Sequence, residues 1–246
     1  MSNHETEKTY GLFANLQNNK LISDLKQKGA NLLIMPSIQT EAVELNEDSK
    51  ELLRNLQNFD WLILTDVFAA EYFIEALREL GVDFFELDNL TVCAFGEAVA
   101  DRLRFVQVHA DIIPSKTDDE TIFSAISQFV GDNFDELSFL MIKENSAKSV
   151  LSEMLKSKTA KVSELEIYQA NIENSSELIK LKTLLENGAF DEFVFSAAED
   201  LASLKLICPE NNLNRILSEI RIAATSEIIY QSLQELDLHP KYFQLK

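Results

Sequence analysis

The chain has 246 residues, 46% of them apolar and 26% charged, with six glycines and four prolines, a balance that excludes the collagenous and disordered classes. Against 22 basic residues stand 41 acidic ones, giving a net charge of -19 at pH 7; neutralising phosphates takes clustered Lys and Arg, so nucleic acid is not expected as a partner. Cys93 and Cys208 lie far apart without metal-ligand spacing, so neither a disulfide framework nor a zinc site is expected, and a reducing, cytoplasmic setting is.

The polar, acidic start MSNHETEKTY and the lack of any run of 18 apolar residues predict neither export nor membrane spanning. In chain order, Tyr10 to Phe13 reads as a strand, Leu21 and Leu25 as one face of a helix stopped at Gly29, and Asn31 to Met35 as a second strand. Ser37 to Val43 lacks helical periodicity and reads as a connection. Then come a helix around Leu52 to Leu56, a strand at Trp61 to Leu64, a helix from Val67 to Leu80 closed by Gly81, and a strand at Thr91 to Ala94.

A helix at Glu97 to Phe105, a short strand near Ile112, a helix after Thr117, a strand at Leu137 to Ile142 and a helix from Ala147 to Leu155 continue the alternation. Lys161 to Ile172 is a longer extended run. The remainder reads as helix Ser176 to Leu185, strand Phe193 to Ser196, helix Leu201 to Ile207, strand Arg221 to Ala224 and a final helix to Leu236. Strands alternating with amphipathic helices predict an α/β fold with mainly parallel sheets, and the length predicts two domains.

An internal echo points to two similar halves. FDWLILTDVFAA from Phe59 matches FDEFVFSAAEDL from Phe190, and VCAFGEAVADRL from Val92 matches IAATSEIIYQSL from Ile222, each about 130 residues later.

In open α/β sheets ligands bind beyond the carboxyl ends of strands, where helix N-termini present N–H groups to anions. Those ends are Thr65-Asp66, Gly96-Glu97, Lys143-Glu144-Asn145-Ser146, Ser196-Ala197 and Thr225-Ser226-Glu227. The competing reading is that Asp66, Ser146, Ser196 and Ser226 are ordinary helix caps. GxGxxG, the P-loop, GxSxG and HExxH are absent, and His4, His109 and His239 are scattered without ligand partners. Tyr168, in the long extended run, carries a phenol that either donates a proton to a leaving group or packs.

The ordered series DWLILTDVFAAEYFIEAL, VCAFGEAVADRL, ADIIPSKTDDETI, FLMIKENSAKSVLSEML, VSELEIYQANI, FDEFVFSAAEDLASL and RIAATSEIIYQSLQEL resembles the uroporphyrinogen-III synthase family over nearly the whole chain. The resemblance implies two similar α/β domains joined by two extended strands: residues 1-36 and 172-246 as a discontinuous first domain, 42-165 as an inserted second one, and 37-41 and 166-171 as the connecting strands.

It further implies cyclisation of hydroxymethylbilane, with inversion of the fourth pyrrole ring and loss of water, by a cofactor-independent, metal-free lyase of haem biosynthesis. The implied enzyme is a cytoplasmic monomer without membrane or nucleic-acid partners. Tyr168 stands at the family's tyrosine and is the implied catalytic residue; Thr65, Asp66, Gly96, Glu97, Lys143, Asn145, Ser196, Ala197 and Ser226 are the implied substrate-binding set. Lys143, closing a strand, is expected to face the bilane's carboxylates.

Several positions depart from the family pattern. Leu12-Phe13-Ala14-Asn15 replaces a Thr-Arg start, Asp66 stands for a Ser, Val99 for a Thr, and Glu227 and Ile229 lie in the turn that commonly reads Gly-Pro-Thr-Thr-Ala. These changes motivate an alternative expectation, a catalytically silent relative that binds a tetrapyrrole or a protein partner.

Overall fold

The computed structural model describes residues 8–14, 18–36, 38–131, 133–145, 147–171, 180, 183–185, 187–207 and 216–244. Most of the helix expected from Ser176 to Leu185 lies outside them, as do Asn15, Ser37, Ser146 and Cys208. The chain folds as two compact units, Met1–Gln39 with Ile172–Lys246, and Thr40–Asn171.

The discontinuous unit begins with β1 (Thr9–Ala14), α1 (Asn18–Gln27) and β2 (Asn31–Pro36). β3 (Gln39–Ala42) then leads into the other unit, and the first unit resumes with β8 (Glu192–Phe195), α7 (Ala198–Ile207), β9 (Ile222–Ala224), α8 (Glu227–Gln234) and β10 (Lys241–Tyr242). Its sheet runs β10-β9-β8-β1-β2, every neighbouring pair parallel. Phe13, Phe193 and Phe195 fill its core, with the Phe193 and Phe195 rings 4.8 Å apart. Gly11 is required there, because a Cβ on it would come within 2.6 Å of the Phe193 ring.

The continuous unit runs through α2 (Glu47–Arg54), β4 (Trp61–Leu64), α3 (Val67–Leu80), β5 (Thr91–Ala94), α4 (Glu97–Arg104), α5 (Asp119–Val130), β6 (Ser138–Glu144), α6 (Val150–Ser157) and β7 (Lys161–Asn171). Its sheet is ordered β3-β7-β6-β4-β5, with β5, β4, β6 and β7 parallel. All four residues of β4 and five of the seven in β6 are buried. That is why these strands read as continuous apolar runs: a parallel sheet covered by helices has no solvent face. Trp61 stacks on Phe139 at 5.4 Å within this core.

The two sheets share one strand order under permutation. β9-β8-β1-β2 in one corresponds to β5-β4-β6-β7 in the other, so the echoing sequence pairs occupy equivalent strands.

Three local features refine or add to the sequence reading. The stretch at Ser37 to Val43, read from its residues as a connection and from the resemblance as a connecting strand over 37-41, contains strand β3; most side chains of β3 are exposed, so it carries no apolar pattern and is held at the sheet edge by backbone pairing. The short strand near Ile112 is one bridge to Cys93. The two-residue strand β10 was too short to leave a pattern.

Candidate functional site

Because β4, β5, β6 and β7 are parallel, their carboxyl ends converge at one end of one sheet. That end gathers Thr65 and Asp66, Gly96 and Glu97, Glu144 and Asn145, and Tyr168. A register shift decides which side chain of β7 arrives there. Lys143 pairs with Glu166, but the next residue, Glu144, pairs with Tyr168, so Ile167 is the extra residue of a bulge. Bulges of this kind re-aim side chains at sheet ends.

Tyr168 is buried, 2% exposed. Its ring stacks on Tyr72 at 5.6 Å and 10° and leans on Phe68 at 5.7 Å, both from α3. Tyr72 is itself tied to β3, its hydroxyl donating to Thr40 Oγ1 at 3.1 Å. The Tyr168 phenol lies beside the carboxyl group of Asp66. Asp66 is the N-cap of α3, accepting the Ala69 N–H on Oδ1 at 2.9 Å, while the Thr65 hydroxyl reaches its Oδ2 at 3.0 Å and the Ile142 carbonyl at 3.1 Å.

The electrostatics of this end favour protons over charges. Burial pushes the Asp66 carboxyl up, against the bonds donated by Ala69, Tyr168, Thr65 and Phe68. Burial also pushes Glu144 up, opposed by the Ala170 N–H and reinforced by the neighbouring Asp66 charge. The phenol of Tyr168 is raised well above its ordinary range by burial first, then by the charge and hydrogen bond of Asp66. Like charges this close cannot all form cheaply in a low-dielectric setting.

Around this cluster, the Asn145 backbone N–H donates to the Tyr168 carbonyl at 2.7 Å and its side-chain amide to Gln169 Oε1 at 3.4 Å; Gln169 Nε2 donates in turn to Glu41 at 2.6 Å. Gly96 caps α4 at φ 93° with no side-chain hydrogen bond, a conformation that favours glycine, and its neighbour Glu97 pairs with Arg104 at 2.6 Å.

Lys143, expected to face a ligand, does not join the cluster. It is 6% exposed, with Nζ 2.8 Å from Glu164, 3.6 Å from Glu166 and donating to the Ala147 carbonyl at 2.5 Å. β6 runs to Glu144 rather than ending at Ile142, and on a strand successive side chains face opposite ways. Glu144 therefore takes the side of Asp66 and Tyr168, and Lys143 takes the side of α6, where Ser152 also donates to Glu164, at 2.5 Å.

The discontinuous unit brings its own expected residues together at the ends of adjacent strands β8 and β9. Here the turn already holds a carboxylate. Asp200 Oδ2 accepts the Ser196 N–H at 2.8 Å, the Ala197 N–H at 3.0 Å and the Ser196 hydroxyl at 3.0 Å, and Asp200 is buried. Ser226 caps α8 by accepting the Ile229 N–H at 3.4 Å. Beside it, Tyr242 donates its hydroxyl to Glu227 and stacks on Tyr230 at 4.6 Å.

Sequence reasoning missed Tyr72, Gln169, Glu41 and Asp200. Signals existed for two: Phe68 and Tyr72 stand four apart on one face of α3, behind the Asp66 turn, and Asp200 follows Ser196 by four, close to capping-box spacing. Among the described residues no group of three or more metal-ligating side chains is assembled, and no helix is long and apolar enough to cross a membrane.

Against known proteins, the family model described as uroporphyrinogen-III synthase HemD matches residues 19–244. A curated relative, a porphyrin biosynthesis protein HemD of Ruminiclostridium josui, is 24% identical over 189 residues, covering 75% of this chain and 37% of its own length. The chain thus spans little more than a third of that relative. Two solved structures of Thermus thermophilus uroporphyrinogen-III synthase superpose with TM-scores of 0.64 and 0.62 at 18% and 17% identity, covering 95% and 94% of this chain and 91% of each of theirs. At that identity the likeness bears on fold.

Proposed function

The chain belongs to the uroporphyrinogen-III synthase family, and on that premise we propose that it cyclises hydroxymethylbilane to uroporphyrinogen III, inverting the fourth pyrrole ring and releasing water. The observation that carries this reading is the placing of the Tyr168 phenol beside Asp66 at the carboxyl end of a parallel sheet. The reaction begins with loss of hydroxide from the hydroxymethyl carbon, which leaves an azafulvenium cation, and the departing oxygen needs a proton. A phenol kept protonated across the working pH range is suited to give one.

Control of which isomer forms is a matter of positioning, since the bilane closes to the type I product unaided. Helix N-termini at strand ends suit a substrate rich in carboxylates, and the turn at Gly96, uncapped by any side chain, is the best such candidate. The chemistry needs no metal and no cofactor. The protein is proposed to work as a monomer in the cytoplasm.

The test is a coupled assay from porphobilinogen with a deaminase, resolving type I from type III isomer. The reading expects type III product, with Tyr168→Phe slowing its formation roughly ten-fold or more. Type I product alone would refute it. One observation favours a second reading, that of a silent relative: Asp200 and Tyr242 engage the strand-end turns of the discontinuous unit from within. Binding of the bilane without turnover would support that alternative.

A further inference from the structure

The continuous unit holds a cavity of about 330 Å³ whose lining comes entirely from the stretch Ala42 to Leu80 and from Ile167 of β7. Much of that lining is apolar: Ala76 and Ile167 are buried, and Leu80 is half-buried. Ile167 is the bulge residue that precedes Tyr168, and Tyr72, whose ring stacks on Tyr168, also lines the cavity. The cavity thus borders the Tyr168 ring's supports without containing Tyr168 itself.

The acidic part of the lining is Glu44, Glu75 and Glu79, all exposed. None of these three carboxylates forms an ion pair or a side-chain hydrogen bond with a described residue. Glu75 and Glu79 stand four apart on α3, the spacing at which like charges repel along a helix. Lys50 is the one basic residue of the lining, and its ammonium is engaged 2.9 Å away by Glu47, which does not line the cavity. An apolar hollow flanked by unrelieved like charges is complementary to an occupant that brings an apolar body and a positive charge. A bilane rich in carboxylates has the wrong sign for it.

We propose that this cavity binds a small organic ammonium ion, with its apolar body against Ala76, Leu80 and Ile167 and its charge among Glu44, Glu75 and Glu79. The site is separate from the synthase reading and stands or falls without it. Its volume lies at the small end of ligand sites, which fits one short alkyl or aryl amine rather than a macrocycle.

Hexylammonium, hexanol and hexanoate test this, because they carry similar alkyl chains and differ in the charge of the head. Titration calorimetry of the full chain at low ionic strength is expected to show saturable one-to-one binding of hexylammonium, roughly ten-fold tighter than hexanol, the sum of modest attractions to three exposed carboxylates. Hexanoate is expected to bind more weakly than either, and added salt to narrow the differences. The double variant Glu75→Gln/Glu79→Gln changes exposed side chains to isosteres and removes two of 41 acidic charges, so the overall field of the protein persists. It is expected to abolish most of the hexylammonium advantage and to leave hexanol binding unchanged. The alkyl probes are transparent in the near ultraviolet, so the tyrosine circular dichroism band reports the place of binding: hexylammonium is expected to alter it in wild-type protein through Tyr72.

Equal binding of hexylammonium and hexanol overturns the proposal, as does an advantage that the double variant keeps, since the charge recognised then lies elsewhere on the acidic surface. Absence of saturable hexylammonium binding in the millimolar range overturns it too, and so does bound hexylammonium that leaves the tyrosine band unmoved.

Discussion

Lys143→Ala is expected to act on stability rather than on substrate affinity. The lysine is 8% exposed at its side chain, and its ammonium lies 2.8 Å from a Glu164 carboxylate that is itself only a quarter exposed. Burial works to raise the Glu164 carboxyl, but bonds from Lys143, Ser152 and Lys156 outweigh it and hold the group at about 2, against an ordinary 4.5. A depression of that size corresponds to about 3 kcal/mol of folding free energy. Since Ser152 and Lys156 keep their bonds in the variant, the share lost with Lys143 is about 2 kcal/mol, below the range for a buried pair left with no other partner.

The sign of the pH dependence follows from a carboxyl whose folded value lies below its unfolded one. The stabilisation is complete above about pH 4.5 and disappears as pH falls towards 2. Urea unfolding of wild type and Lys143→Ala at pH 7 and at stepped values down to pH 2.5 measures this directly. The gap between them is expected to be about 2 kcal/mol at neutral pH and to narrow with acid. A variant as stable as wild type at pH 7 but raised in KM would refute the reasoning and restore Lys143 to the substrate.

Three further outcomes are expected. Gly11→Ala pushes a methyl against the Phe193 ring, which is boxed in by Phe13, Phe190 and Phe195, so a loss of about 1–3 kcal/mol is expected in denaturant unfolding. Ser226→Ala removes the α8 cap for about 1 kcal/mol, and Ser226→Asn is expected to restore most of it; equal losses in both would show the hydroxyl acts otherwise than as a cap. Asp200→Ala strands two backbone N–H groups and a hydroxyl and is expected to cost about 2 kcal/mol, recovered in part by adding small carboxylates such as acetate if the turn is a true anion cradle.

Most of the sheet architecture was legible because its strands are buried on both faces. Trp61 to Leu64, Phe139 to Ile142 and Phe193 to Phe195 are short apolar runs bounded by polar or turn residues. β3 was hidden for the opposite reason, since Gln-Thr-Glu-Ala is mostly exposed and belongs to the sheet through its backbone alone. The site was legible as positions and not as directions. Ending β6 at Ile142 instead of Glu144 turned Lys143 towards the ligand end, the usual consequence of a small slip in a period-two element. The partner of Tyr168 was concealed by the bulge at Ile167, which no spacing in the sequence announces.

The permuted halves share strand order, yet their strand-end turns are built to different ends. In the discontinuous unit Asp200 fills the Ser196–Ala197 amides and Tyr242 takes the Glu227 carboxylate, so the polar groups there are satisfied by the unit's own side chains. In the continuous unit the equivalent turn, after β4, holds Asp66, whose carboxyl caps α3 and lies beside the phenol of Tyr168 on β7, while the α4 turn at Gly96 carries no capping side chain. A turn closed upon its own carboxylate gains stability and resists an incoming anion; a turn left without one keeps its N–H groups oriented for a ligand. Both units thus close one strand-end turn with a carboxylate, Asp66 in one and Asp200 in the other, and they differ at the next turn, where Ser226 caps α8 and Gly96 has no side chain to cap α4.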